Sequence, residues 1–341
     1  MAGLNTNASA VTLDLYGNSN WFVAYANQDA MNEKGSYNDV DVMGSVEVMI
    51  KATHQLAQDF KFGAFILMNG GTVLYNPKTK ASVKHSYVFA ETPYGKLMLG
   101  LHDNVGRQTY YGASEVSIFG VNASDICALI LKRPRHLLSD ARVNPMSRRN
   151  IASYLTPRLN GFQFGISYMP GSTKDTDDNT MEKDPSFKEA IVSAATYRKD
   201  FSSNHWLGVY VGTHQMQRAG GDRYEYGAGV KWNYNGWIVG AGGKIRHSEG
   251  EKKDPHVWNA SIGFDTGKNA VSLAFMHQKD ESPVLSGGFD AKLWMLSARH
   301  YYAKGIDFFA NISIAKEKGD FDGKAETANT EIGVIGLSLS F

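Results

Sequence analysis

From Ile335 to Phe341 the side chains alternate strictly, with Ile335, Leu337, Leu339 and Phe341 on one side and Gly336, Ser338 and Ser340 on the other. A period of two marks a β-strand, because successive side chains leave opposite faces of the pleat. One face here is apolar and the other is small and polar. The pattern recurs. Phe162, Phe164, Ile166 and Tyr168 oppose Gln163, Gly165 and Ser167. Tyr224, Tyr226, Ala228, Val230, Trp232 and Tyr234 oppose Glu225, Gly227, Gly229, Lys231 and Asn233. Many of these runs reach about ten residues, where strands of globular sheets average roughly 5–6. An antiparallel sheet lying on a core also alternates. Polar faces rich in glycine and mixed charge instead suit a closed sheet with water inside and lipid outside.

Sixteen such strands can be counted, near 11–27, 40–52, 59–68, 82–91, 95–102, 147–156, 161–169, 188–199, 204–215, 222–234, 236–247, 256–265, 269–279, 289–302, 304–316 and 326–341. Short turns such as Pro93-Tyr94-Gly95, Asn160-Gly161 and Asn235-Gly236 join alternate pairs, and Asn-Gly is a strong hairpin signal. Longer polar connections at 28–39, 69–81, 103–146, 170–187, 247–255, 279–288 and 317–326 fall between them. Short turns on one rim and long loops on the other are what a transmembrane barrel requires. The fold expected is all-β, one 16-stranded antiparallel transmembrane barrel spanning 1–341 as a single domain.

Composition excludes other classes. No apolar run approaches the roughly 18 residues of a spanning helix. The mean hydropathy of −0.32 does not argue against a barrel, whose signal is split between two faces. A formal net charge of +1 provides no basic field for nucleic acid. The lone Cys127 cannot form an internal disulfide. The first residues, MAGLNTNASAV, lack a charged segment leading into an apolar stretch, so the barrel reading expects a mature form without its leader.

Little other chemistry is written in the chain. Asp175, Asp177 and Asn179 begin like a calcium loop, but Thr180 stands where glycine is needed and Ser186 where glutamate is needed. The ten histidines are scattered, no metal-ligand spacing occurs, and no cofactor is expected. Gly240, Gly242 and Gly243 lie inside a strand, where close backbone packing is the simpler role. Asn311-Ile312-Ser313 fits a glycosylation sequon by chance, on the polar face of a strand.

The stretch between Leu101 and Ser147 is too long to be a plain connection. Its middle, GVNASDICALIL at 120–131, is apolar, and Ser124 or Asp125 could cap a short helix entering it. An apolar run in a solvated loop needs burial, so this loop is expected to fold back inside the barrel.

Four stretches carry a resemblance: VTLDLYG at 11–17, ETPYGKLMLGLHDN at 91–104, RRNIASYLTPRLNGFQFGISYMPG at 148–171 and the terminal GLSLSF. Together they resemble the Gram-negative general porins. The terminal Phe341 resembles the aromatic that closes outer-membrane barrels. The resemblance implies a 16-stranded barrel in the bacterial outer membrane, an inward-folded third loop and a homotrimer in lipid. It departs inside the third loop, where no standard acidic constriction motif aligns.

Alternation supplies lumen-facing candidates, basic at Lys51, Lys61, Lys84, Lys96, Lys231, Lys244 and Arg246, acidic at Asp14, Asp41, Glu47, Glu225 and Asp307. In the family, basic wall residues face acidic groups on the loop. The resemblance thus implies Lys51, Lys61, Lys84 and Lys96 as the wall and Glu115, Asp125 and Asp140 as the loop, with Arg133 and Arg135 beside them. Each lysine could equally be a solvated rim residue. The expected function is passive diffusion of small hydrophilic solutes and ions with weak anion preference. A substrate-specific channel for anionic solutes is the alternative. A barrel enzyme would need a Ser/His/acid set near the rim, and none stands out.

Overall fold

The computed structural model describes residues 11–28, 40–70, 82–114, 116–120, 141–143, 149–170, 188–218, 220–250, 254–280, 288–321 and 324–341. Sixteen strands run in order: β1 (Thr12–Gln28), β2 (Val40–Ala57), β3 (Phe60–Asn69), β4 (Ser82–Thr92), β5 (Gly95–His102), β6 (Arg149–Leu155), β7 (Phe162–Pro170), β8 (Glu189–Ser202), β9 (His205–Gln217), β10 (Arg223–Tyr234), β11 (Trp237–Ser248), β12 (His256–Asp265), β13 (Asn269–Asp280), β14 (Phe289–Ala303), β15 (Ile306–Phe321) and β16 (Lys324–Ser340). One short helix, α1 (Val105–Gln108), follows β5.

Each strand pairs antiparallel with its sequence neighbours, and β1 closes on both β2 and β16 into a barrel. Closure removes every sheet edge, so the backbone polar groups of the strands are satisfied within the ladder, as a lipid environment demands. The seven connections β2–β3, β4–β5, β6–β7, β8–β9, β10–β11, β12–β13 and β14–β15 are short and lie on one rim. Two of them are Asn-Gly turns with both residues at positive φ, Asn160 (50°) with Gly161 (90°) and Asn235 (46°) with Gly236 (89°). That geometry matches the twist of the flanking strands.

The two faces separate as the alternation predicts. Leu13, Leu15, Trp21, Val42, Phe164, Trp294, Leu296, Ile312 and Ile335 are exposed on the outward face. Their sequence neighbours point inward. The largest departures from the expected strand limits are at β2 and β15. β2 continues to Ala57, and the expected loop at 317–326 is almost entirely strand, because β15 runs to Phe321 and β16 begins at Lys324. The ladder there pairs Lys316 with Asn329 and Lys318 with Thr327, so backbone pairing extends strands whose side chains read as a polar loop.

The inward face is also less uniformly polar than expected. On β12 to β16, β1 and β2 it carries a dry cluster that includes Phe22, Met43, Met276, Leu293, Met295, Phe309, Ile332 and Val334. A second cluster includes Met98, Ile151, Met169, Val192 and Tyr210 on β5 to β9. These apolar residues are buried because chain from between β5 and β6 packs on them.

Candidate pore constriction

That covering chain begins at Asn104, whose side chain caps α1 by accepting from the Arg107 amide at 3.2 Å. The Val105 amide donates to Ser167 Oγ on β7 at 2.9 Å, and Ser167 Oγ lies 2.7 Å from Ser153 Oγ on β6. Residues 110–112 then cross β9, β10 and β11 where inward side chains are missing. A Cβ at Gly229 would overlap the Tyr111 carbonyl oxygen, one at Gly240 the Gly112 carbonyl, and one at Gly242 the Tyr110 hydroxyl. Glycine therefore makes the groove that the segment occupies. The Tyr110 ring meets Tyr210 edge-on at 5.1 Å.

Beyond the groove, backbone amides are tethered by wall serines. The Ser114 amide donates to Ser261 Oγ at 2.8 Å and the Val116 amide to Ser272 Oγ at 3.1 Å. Lys231 Nζ donates to Ser114 Oγ at 3.0 Å. Phe119 ends the run with its ring edge-on to Phe22 at 5.1 Å and Phe309 at 6.1 Å. The described part of the segment thus lies against inward faces from β6 round to β1. The expected helix at 126–129 lies outside the described residues.

Charges divide between the two sides. On β10 to β15 they are largely consumed in pairs: Lys244 with Glu225 at 3.4 Å, Arg246 with Asp280 at 3.2 Å, and Arg299 with Asp307. Arg198 pairs with Asp200 at 2.8 Å and stacks over Trp206 at 4.6 Å. On β2 to β5 the four candidate lysines all point inward. Lys84 does so through a register shift opposite Leu67 and Met68, and it pairs with Glu47. Lys96 pairs with Glu91 at 2.9 Å. Lys61 is the register partner of Glu91, and Lys51 that of Asp14. Lys51 and Lys61 close no ion pair among the described residues.

Phe89 organises this cluster. Lys96 Nζ lies 5.0 Å and Lys51 Nζ 5.6 Å from its ring centroid, within cation–π range. Phe89 and Glu91 are site residues that alternation alone did not single out. Their signal was the Pro93-Tyr94 turn, which sets Glu91 opposite Lys96 and Phe89 opposite Met98. Glu115, Asp125, Arg133, Arg135 and Asp140 lie outside the described residues.

Comparison with known proteins agrees with this architecture. A family model for Gram-negative porins matches residues 1–320. No curated protein matches the chain by sequence. Among solved structures, the anion-selective porin from Comamonas acidovorans is 16% identical, with 97% of this chain and 100% of that one covered at a TM-score of 0.65. OmpF of Salmonella typhi, solved in complex with daunomycin, is 10% identical over 96% of this chain and 97% of its own, TM-score 0.65. OmpT of Vibrio cholerae in its trimer form is 13% identical over 98% of this chain and 100% of its own, TM-score 0.64. At such identities the structures speak for the fold alone, whereas the family model spans nearly the whole sequence. With sixteen strands closed into a barrel, an apolar outer face and a charged inner one, the chain belongs to the Gram-negative porin family of the bacterial outer membrane.

Proposed function

We propose that this protein is a passive diffusion channel for small hydrophilic solutes and ions, with a weak preference for anions and no catalytic activity. The chain acts as one barrel, and residues 103–146 narrow it. One observation carries the selectivity. The cation-rich stretch of the inner wall is that of β2 to β5, where Lys51, Lys61 and Lys96 gather around the carboxylate of Glu91. The opposite wall is neutralised in pairs. A permeating ion therefore meets a local positive potential on one side, and a channel discriminates by the charges at its narrow part. Asp14, across from Lys51, keeps the preference weak. The anion selectivity named for the Comamonas porin is compatible with this reading.

Reversal potentials in planar bilayers across a KCl gradient test it, with an anion-permeable sign expected; clear cation selectivity would reject it. Liposome swelling with sugars of graded size tests the diffusion reading. A homotrimer is the assembly proposed, as in the trimer form of Vibrio cholerae OmpT, and cross-linking in detergent would reveal it.

A substrate-specific channel for anionic solutes is the second reading. It is favoured by cations set beside aromatic rings on both sides, Lys51 and Lys96 at Phe89 and Arg198 at Trp206. Saturable block of the ion current by an aromatic carboxylate would establish it over simple diffusion.

A further inference from the structure

One row of the inner wall carries more chemistry than ion selection needs. Lys51 on β2, Phe65 on β3, Tyr87 on β4 and Gly100 on β5 are register partners in turn, so they line up across four strands on the lumen face. Phe65 and Tyr87 are half-buried, with ring centroids 5.3 Å apart and planes inclined at 36°. Two further rings hold Tyr87 in place: His102 meets it edge-on at 5.3 Å, and Phe89, the next inward residue of β4, lies 6.3 Å away. Glycines leave these rings room. Gly100 sets no side chain beside Tyr87, and a Cβ at Gly63 would collide with the Phe89 ring.

Polar groups in want of partners flank the rings. Among the described residues Lys51 closes no ion pair, Asp14 opposite it closes none, and the Tyr87 hydroxyl makes no hydrogen bond. Lys51 Nζ and Lys96 Nζ converge on the Phe89 ring, 5.6 Å and 5.0 Å from its centroid, which places the positive charge one pleat below the aromatic row. Lys96 gives one bond to Glu91 and, as an ammonium, keeps donors to spare. An inorganic ion would leave the rings unused, and a bare aromatic acid would leave Asp14 and the Tyr87 hydroxyl unused. A sugar ring engages all of them. Its C–H face lies against the negative face of an aromatic ring, and its hydroxyls donate to a carboxylate and exchange hydrogen bonds with a phenol. Resting on the reading of the channel as specific for anionic solutes, we propose that Phe65, Tyr87, Asp14, Lys51 and Lys96 form a subsite for a cyclic sugar acid. The rings stack the hydroxylated six-membered ring, and the two lysines hold its carboxylate.

Block of the ion current through the full chain in planar bilayers tests this, with glucuronate, gluconate, glucose and benzoate as probes. Glucuronate should block saturably and at lower concentration than the other three. Gluconate has its hydroxyls and carboxylate but no ring, glucose has no charge, and benzoate has no hydroxyls. Phe65→Leu, which keeps an apolar side chain and removes the ring, should weaken glucuronate block about fivefold, the scale of one ring contact, and leave gluconate block as in the wild type. Phe65→Tyr should retain the wild-type block, and Lys51→Gln should weaken block by both acids. Heat-modifiable gel mobility reports whether each barrel is folded; should Phe65→Leu fail to fold, Tyr87→Phe, which deletes only the hydroxyl, carries the comparison, with weaker glucuronate block expected. Equal block by glucuronate and gluconate overturns the proposal, as does unchanged glucuronate block in the folded variant. Saturable block by benzoate without block by glucuronate also overturns it while the anion-specific reading stands, and absence of saturable block by any of the four removes both.

Discussion

The Gly17 amide donates to the Phe341 carbonyl at 3.0 Å, and the Phe341 amide returns a bond to the Gly17 carbonyl at 3.1 Å. The Phe341 ring also covers the space a Gly17 side chain would need, with its Cζ 2.7 Å from an ideal Cβ. Barrel closure between first and last strands therefore ends on a glycine roofed by an aromatic. Gly17→Val should push the ring away and strain the seam, costing about 1–3 kcal/mol as overpacking does. A lowered thermal midpoint, read by loss of heat-modifiable mobility, is the expected result. An unchanged midpoint would mean that the seam tolerates the ring's displacement.

Gly229 tests the groove on the inner wall. Gly229→Val places a branched side chain where the Tyr111 carbonyl sits. The segment must then lift from the wall toward the pore axis. Single-channel conductance should fall and become noisier, while circular dichroism of the barrel stays that of wild type. Wild-type conductance would show that residues 110–112 do not border the permeation path.

Phe119 anchors the far end of the segment between Phe22 and Phe309 and is 3% exposed. Phe119→Ala leaves a void there, and buried Phe→Ala changes cost about 3–5 kcal/mol. Limited proteolysis should find new cleavage near 110–120, with the barrel strands still protected.

Selectivity should follow the lysine cluster. Lys51→Glu combined with Lys61→Glu should abolish or reverse the anion preference. Glu91→Gln, which removes the carboxylate among the three cations, should strengthen it. Both shifts should shrink from 0.1 M to 1 M KCl, as the screening length falls from about 10 Å to about 3 Å. Reversal potentials at the two salt concentrations measure this, and equal shifts at both would place the selective charges elsewhere.

Much of the barrel was legible in the sequence because its rules are local. Tyr224 to Tyr234 could be assigned faces from spacing alone, and Asn235-Gly236 announced its own turn. The stretch 317–320 misled because Glu317, Lys318 and Asp320 resemble a solvated loop. Pairing with β14 and β16 gives that backbone its hydrogen bonds, and the outward lysines lie beyond the apolar band.

The inner wall was only half legible. Lys51, Lys61 and Lys96 were placed inward by parity, whereas Lys84 reaches the same face only through the register shift opposite Leu67 and Met68. Phe89 and Glu91 required the register of β4 against β5. The apolar inward residues Met276, Leu293 and Ile332 broke the expected polar pattern because the chain covering them comes from far away in sequence. Period-two alternation and turn residues act over a few positions, so the sequence by itself determined the strands, their order and their faces. Which part of the lumen stays wet depends on contacts such as the Ser114 amide with Ser261, 147 residues apart, and no local pattern encodes them; only the tertiary structure decided that.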